Sequence, residues 1–196
     1  MSLAKLSLGI CLLLASCSPW TPRERKIISQ SDSVMYVTVL PADSVILRTP
    51  SCDFASSTFG SSEMKRLVSF MLRTVTDPSQ DGVGIAAPQV GINRRLICVQ
   101  RLDKPGEPFE SYANIRIDSL FGPVVSGREG CLSVPGMRGI VPRSSSIIVS
   151  YVDPLSGDVS TETVEGYTAR IFQHECDHLD GVLYIDRADS LFVFNE

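Results

Sequence analysis

The sequence predicts an α+β domain in which antiparallel β-sheets pack around one central helix. Short β-rich runs follow one another between residues 95 and 164. Two helices are predicted on either side of this region, at residues 61–75 and 166–179. A run of strands arranged around a helix is typical of an α+β domain with antiparallel sheets.

The first predicted helix covers residues 61–75 and has one apolar stripe. Ser61 or Ser62 can cap its start, and Asp77-Pro78 ends it. The apolar side chains recur at the spacing of one helix face; they are Met64, Leu67, Val68, Met71, Leu72 and Val75. This stripe therefore predicts core packing and no ligand site.

The predicted strands are short and are separated by turns. They are residues 95–100, 112–117, 124–127, 140–142, 146–152 and 159–164, with 35–40 as a further edge strand. The segment Asp153–Asp158 contains Pro, Ser and Gly and predicts the hairpin turn that joins the last two strands.

The predicted helix at residues 166–179 contains both histidines of the chain, His174 and His178. Residues four apart on a helix project from one face, so two imidazoles placed in this way can hold one metal ion. Glu175 lies beside them and can act as a general base for water at that ion. Asp180-Gly181 ends the helix, with Gly181 suited to a left-handed conformation.

A closed metal site needs a third protein ligand. The metzincin proteases are excluded, because Tyr184 stands where their third histidine would fall. A carboxylate from Asp186 or Asp189 would suit another kind of zinc protease. Cys131, among small and polar residues in Glu129–Ser133, is the better candidate.

Three segments in this order resemble the motifs of the peptide deformylases. They are Gly82–Gln89, Glu129–Ser133 and His174–His178. A nucleotide-binding role for the first is improbable, since it lacks a third glycine and a Lys-Ser/Thr pair. The resemblance extends from about Val45 to Asp186. It implies a peptide deformylase-like fold around a metal-binding helix, and removal of the formyl group from formyl-methionyl peptides or nascent proteins.

The resemblance also implies the roles of individual residues. Cys131, His174 and His178 would hold one divalent metal ion. The resemblance implies Fe²⁺, and Zn²⁺, Ni²⁺ or Co²⁺ are alternatives. Glu175 would move the proton, and Gln89 with the backbone N–H of Leu132 would stabilise the oxyanion. The implied substrate-binding residues are Val83, Gly84, Gly130, Arg138, Tyr167 and Ile171.

Two departures from the family pattern concern substrate preference. Arg170 and Gly127 stand where family members more often carry apolar residues, which puts a strict formyl-methionine preference in doubt. Glu129, Asp177, Arg138 and Arg143 are expected to be supporting or structural charges, with Asp177 facing away from the metal and able to pair with Arg143.

The first residues predict export. Residues 1–16 have a charged start, an apolar centre too short to span a bilayer, and small residues before Cys17. This pattern is similar to a bacterial lipoprotein signal, with Cys17 as the lipidated residue. Residues 17–44 are expected to be a tether and residues 45–196 the catalytic domain. The predicted location is the cell envelope, with a cytoplasmic protein as the alternative.

Composition restricts the partners. The net charge of −4 with scattered basic residues gives no sign of nucleic-acid binding. The cysteines have no regular spacing, so no disulfide framework is expected, and Cys98 and Cys176 are expected to be buried thiols. A monomer bound to the membrane only through Cys17 is predicted.

Three functions stay open: a formyl-peptide deformylase, another kind of zinc protease, and a non-catalytic formyl-peptide-binding lipoprotein.

Overall fold

The computed structural model describes residues 19–31, 34–80 and 82–194. Within these ranges the α-helices are α1 (Pro22–Gln30), α2 (Ser44–Arg48), α3 (Ser62–Val75) and α4 (Gly166–Leu179). The strands are β1 (Gly84–Ala86), β2 (Leu96–Gln100), β3 (Phe109–Cys131), β4 (Val134–Val152), β5 (Val159–Glu165) and β6 (Ser190–Val193). The predicted α+β class is confirmed.

The strands form one antiparallel sheet in the order β1-β2-β3-β4-β5, and β6 pairs with residues 137–140 of β4. Strands β3 and β4 pair from Ala113 and Val152 to Cys131 and Val134. The four short strands predicted in this region are therefore wrong as separate elements, because they are parts of two long strands. Register shifts along the β3–β4 pair interrupt the alternating pattern that the prediction relied on.

Helices α3 and α4 confirm the sequence predictions. The side chain of Ser61 accepts a hydrogen bond from the Met64 backbone N–H at 3.2 Å and so caps α3. The apolar stripe of α3 lies in a core cluster with residues of β1 and β2. Helix α4 ends at Leu179, and Gly181 has a φ of +73°, the left-handed conformation expected after the helix.

Helix α4 is held in place by its apolar face. Ala169, Phe172, Cys176 and Leu179 lie in a second core cluster with side chains of β2, β3, β4 and β5. This spacing of three and four residues defines one side of the helix. The packing fixes the rotation of α4 and directs the two histidines towards the end of β3.

The structure differs from the predicted tether at residues 17–44. Helix α1 has a complete capping box between Thr21 and Glu24, and Trp20 and Ile28 are buried in the core cluster. Glu24 also pairs with buried Arg94 at 2.6 Å. Within the described residues, packing against the domain is thus present from Trp20 onwards, well before residue 45.

The predicted edge strand at residues 35–40 is also wrong. This segment is extended, and Thr38 and Leu40 donate backbone hydrogen bonds to Gln89 and Ser133 at 2.8 and 2.9 Å. It forms no strand of the sheet. The predicted signal (1–16) and Cys17 lie outside the described residues. Among the described helices, none has the length and apolar character needed to cross a bilayer.

Candidate metal centre

The structure brings Cys131, His174 and His178 together. Cys131 is the last residue of β3, and the two histidines lie on consecutive turns of α4. The ligand atoms of all three lie within 4.8 Å of one another. The distance from Cys131 Sγ to His178 Nε2 is 3.1 Å.

This donor set fits one metal ion. Bonds of about 2.0–2.3 Å in a tetrahedral site place neighbouring ligand atoms roughly 3.3–3.8 Å apart, close to the separation found here. Burial raises the pKa of the Cys131 thiol, but the facing imidazoles of His178 and His174 lower it well below its usual value. The thiolate that a cation requires is therefore favoured.

Glu129 orients one of the ligands. Its carboxylate lies 2.9 Å from His174 Nδ1. A carboxylate on one ring nitrogen fixes the tautomer and leaves the other nitrogen, Nε2, for the metal. Arg143 and Arg170 donate to the same carboxylate at 2.9 and 2.7 Å. Glu129 and Arg143 are thus the supporting charges that the sequence predicts.

Asp177 projects from another side of α4 and pairs with Arg143 at 2.5 Å, which confirms that prediction. The alternative metal ligands are not part of the site. Asp186 pairs with Arg48, and neither Asp186 nor Asp189 belongs to the ligand cluster found in the described residues. The ring of Tyr184 stacks beside His174 at 6.0 Å.

Glu175 is buried beside the ligands with 4% of its surface exposed. Burial raises the pKa of its carboxyl to about 7, although the nearby histidines oppose this shift. Its Oε2 has no hydrogen-bond partner among the described residues. A Cβ on Gly84 would fall 2.5 Å from Glu175 Oε1, so only glycine lets the β1 backbone approach this carboxyl.

The amide of Gln89 has a fixed orientation. Its Oε1 accepts a hydrogen bond from the Ala86 backbone N–H at 2.8 Å. Its Nε2 therefore faces Cys131 Sγ, at 3.5 Å, and Ser133 Oγ, at 3.3 Å. The donor side of Gln89 is directed towards the metal centre.

A cleft of about 800 Å³ opens over these residues. All the predicted substrate-binding residues line it together with Leu132: Val83, Gly84, Gly130, Arg138, Tyr167 and Ile171. Arg128 and Phe194 also line the cleft and were missed by sequence reasoning. The continuous apolar run Leu191–Phe194, which includes most of β6, is the signal that indicates this strand.

The two departures at positions 170 and 127 are one structural feature. A Cβ on Gly127 would lie 2.9 Å from Arg170 Cζ. Arg170 Nη1 donates to Glu129 and to the Val141 carbonyl, and Nη2 donates to the Val125 carbonyl. The guanidinium of Arg170 thus occupies the space that a side chain at position 127 would need.

Comparison with known proteins decides the family. The model of the polypeptide deformylase family matches residues 36–192. The chain belongs to this family. A peptide deformylase from Leptospira biflexa is 40% identical over 167 residues, which cover 81% of this chain and 92% of the relative.

Solved peptide deformylases have the same fold. The actinonin-bound class I type b enzyme from Acinetobacter baumannii is 34% identical, with a TM-score of 0.72 over 81% of this chain and 100% of that one. The Met-Ala-Ser-bound structure of that enzyme is 34% identical, with a TM-score of 0.70 over 79% of this chain and 98% of that one.

As a peptide deformylase, the protein is a metal-dependent hydrolase that removes the N-terminal formyl group from formyl-methionyl peptides and releases formate. The comparisons favour neither the other zinc protease nor the non-catalytic binding protein.

Proposed function

We propose that this deformylase works with one Fe²⁺ ion held by Cys131, His174 and His178, and that Glu175 is its general base. The observation that carries the proposal is the convergence of a thiolate and two imidazoles beside a buried carboxyl. Such a cation, when bound, supplies a Lewis acid and makes a water molecule a better nucleophile at neutral pH. The donor set also suits Zn²⁺, Ni²⁺ and Co²⁺.

Glu175 moves the proton. A pKa of about 7 leaves both protonation states populated near neutral pH, which suits a group that first accepts and then donates a proton. Oε2, which has no hydrogen-bond partner among the described residues, takes the proton of the attacking water. The same carboxyl then passes this proton to the amine that leaves when the C–N bond to the formyl carbon breaks.

Gln89 and Leu132 stabilise the charge that develops on the formyl oxygen. Gln89 Nε2 is held towards the ligands by the Ala86 hydrogen bond, so it is oriented before the substrate arrives. The backbone N–H of Leu132 follows directly after the ligand Cys131. Loss of one such donor costs about 10²–10³ in turnover.

The peptide lies along the cleft, with its backbone against β1. Gly84 provides the close approach, and an extended peptide can add to a strand edge through main-chain hydrogen bonds. Tyr167 and Ile171, on α4, border the same space. Because Arg170 also lines it, we propose a looser preference for methionine at the formylated residue than an all-apolar pocket gives.

Anaerobic purification, metal analysis and a formate assay on formyl-Met-Ala-Ser test this proposal. We expect one metal ion per chain and formate release that is lost on chelation. The Glu175→Gln variant is the control, because it should keep the ion and lose activity. Formate release that persists after the metal has been stripped would overturn the proposal.

We also propose that residues 1–16 are a cleaved signal and that Cys17 carries lipid, which places the enzyme in the cell envelope as a monomer. Trp20 already packs against the domain. Three residues reach at most about 11 Å, so a lipid at Cys17 would hold the domain close to the bilayer. Its substrates there would be released formyl peptides. Palmitate labelling that disappears in Cys17→Ala supports this location, whereas an unprocessed cytosolic protein refutes it.

A further inference from the structure

Two arginines that line the cleft are held by aromatic rings, one from β6 and one from the residue that follows it. Arg128 lies on β3, with its Cζ 5.7 Å from the centre of the Phe192 ring. Arg138 lies on β4, with its Cζ 4.6 Å from the centre of the Phe194 ring. Stacking of this kind fixes a guanidinium while its N–H groups stay available.

Neither arginine pairs with a carboxylate in the part of the chain that the structure describes. Arg143 and Arg170, deeper in the site, are both paired with Glu129. Among the described residues, the guanidinium of Arg138 makes one hydrogen bond, which it donates to the neighbouring Met137 carbonyl at 3.1 Å. Arg128 and Arg138 thus present two positive charges to the cleft, and no described carboxylate forms an ion pair with either of them.

The sequence provides space for Arg138 beside the metal centre. A Cβ on Gly130 would lie 2.7 Å from Arg138 Cδ, Nε and Cζ. Gly130 directly precedes the ligand Cys131, so the guanidinium lies near the reacting end of the cleft. A free, planar guanidinium is the group that best binds a carboxylate through two parallel hydrogen bonds.

We propose that Arg128 and Arg138 form a carboxylate-binding rim that selects formyl peptides with a negative charge a few residues after the formylated one. The rim is defined as these two arginines together with Phe192 and Phe194. The carboxylate is either the C-terminus of a short peptide or the side chain of Asp or Glu in a longer one. This inference rests on the proposed function, because it assigns the substrate of the same cleft.

Matched substrates test the rim. The value of kcat/KM is measured for formyl-Met-Ala-Ser, for its C-terminal amide, and for a formyl hexapeptide amide with either Glu or Gln at its fourth position. We expect the charged member of at least one pair to be preferred by about two- to tenfold, mostly through KM, as exposed ion pairs are modest. The preference should fall between 0.1 M and 1 M salt, because screening shortens the range of such pairs.

Three variants identify the residues. Arg128→Gln and Arg138→Gln should each bring the ratio of kcat/KM for the charged substrate to kcat/KM for the neutral one towards one. Arg23→Gln, on the exposed face of α1, removes the same charge outside the cleft and should keep the wild-type ratio. Arg138→Lys keeps the charge without the planar fork and should give an intermediate ratio.

The outcomes separate the two proposals. Preference for the free tripeptide acid alone identifies the C-terminal carboxylate, and preference for the Glu hexapeptide alone identifies an acidic side chain. Equal turnover of charged and neutral substrates, or an unchanged ratio in both glutamine variants, overturns the rim and leaves deformylation standing. No formate from any substrate overturns the proposed function itself.

Discussion

Replacement of Glu129 by glutamine is expected to weaken both the metal site and the fold. The carboxylate of Glu129 is buried, with 5% of its side chain exposed. It accepts hydrogen bonds from Arg143 and Arg170 and lies 2.9 Å from His174 Nδ1. Glutamine keeps the shape of this side chain but removes its charge, which breaks the ion pair of buried Arg170 and leaves Arg143 with Asp177 as its remaining carboxylate partner.

The size of the effect follows from the pKa of Glu129. Burial alone raises this pKa, but His174 and Arg143 together bring it from 4.5 to about 2. A pKa lowered to this extent corresponds to about 3 kcal/mol of stabilisation of the carboxylate. Breaking a buried ion pair costs a similar ~3–5 kcal/mol. We therefore expect the melting temperature of Glu129→Gln to fall by about 6–12 °C.

The metal affinity of this variant should fall as well. Loss of a carboxylate that orients a metal-ligating histidine typically costs about 10–100-fold in affinity. Competition with a chelator measures this change, and thermal unfolding with and without metal measures stability. Glu162→Gln is the matched control, because it removes a carboxylate from buried Arg101, which lies outside the metal centre.

The control should lose stability and keep its metal affinity. A Glu129→Gln protein that binds metal as tightly as the wild type would refute the reasoning, whatever its melting temperature.

Three further predictions concern other parts of the molecule. Glu175→Gln should retain its metal and lose about 10²–10⁴ in formate release, the usual contribution of a general base; metal analysis and the formate assay check both. Gly127→Ile should lower the free energy of unfolding by about 1–3 kcal/mol, because its Cβ meets Arg170. The double variant Gly127→Ile/Arg170→Ile should lose less free energy of unfolding than the sum of the losses in the two single variants. Denaturant unfolding measures all three losses, and additive losses would contradict this prediction. Arg94 holds the pKa of Glu24 below 4.5 against the effect of burial. The stability it contributes is therefore present above pH 4.5 and lost as the pH falls below that value. Between pH 6 and pH 3 the melting temperature should fall less in Glu24→Gln than in the wild type. Equal falls in the two proteins would contradict the assignment.

The metal centre was predictable because its signals are local in the sequence. The spacing of His174 and His178 identifies one helix face, and the segment around Cys131 provides the third ligand. Asp180-Gly181 marks the end of the same helix. The ion pairs of Glu129 were harder to predict. Its partners Arg143 and Arg170 lie on β4 and α4, so they meet Glu129 only once the chain has folded.

Long-range contacts explain what sequence reasoning missed. Gly122-Pro123 suggests a break between two strands, whereas the structure accommodates it as a register shift between Phe121 and Val124 within β3. Residues 22–30 are polar apart from Ile27 and Ile28, and the pairing of Glu24 with Arg94 joins segments that are far apart in the chain. Thr21 and Glu24 do have the spacing of a capping box, the local signal that could have identified α1.

The central claim is that one sulfur and two imidazole nitrogens hold a single cation that the reaction needs. X-ray absorption spectroscopy of the metal-loaded protein measures this most directly. The expected spectrum has one sulfur at about 2.3 Å and two imidazole nitrogens at about 2.0–2.1 Å, with the sulfur signal absent in Cys131→Ser. A metal shell without sulfur in the active wild-type protein would contradict the account.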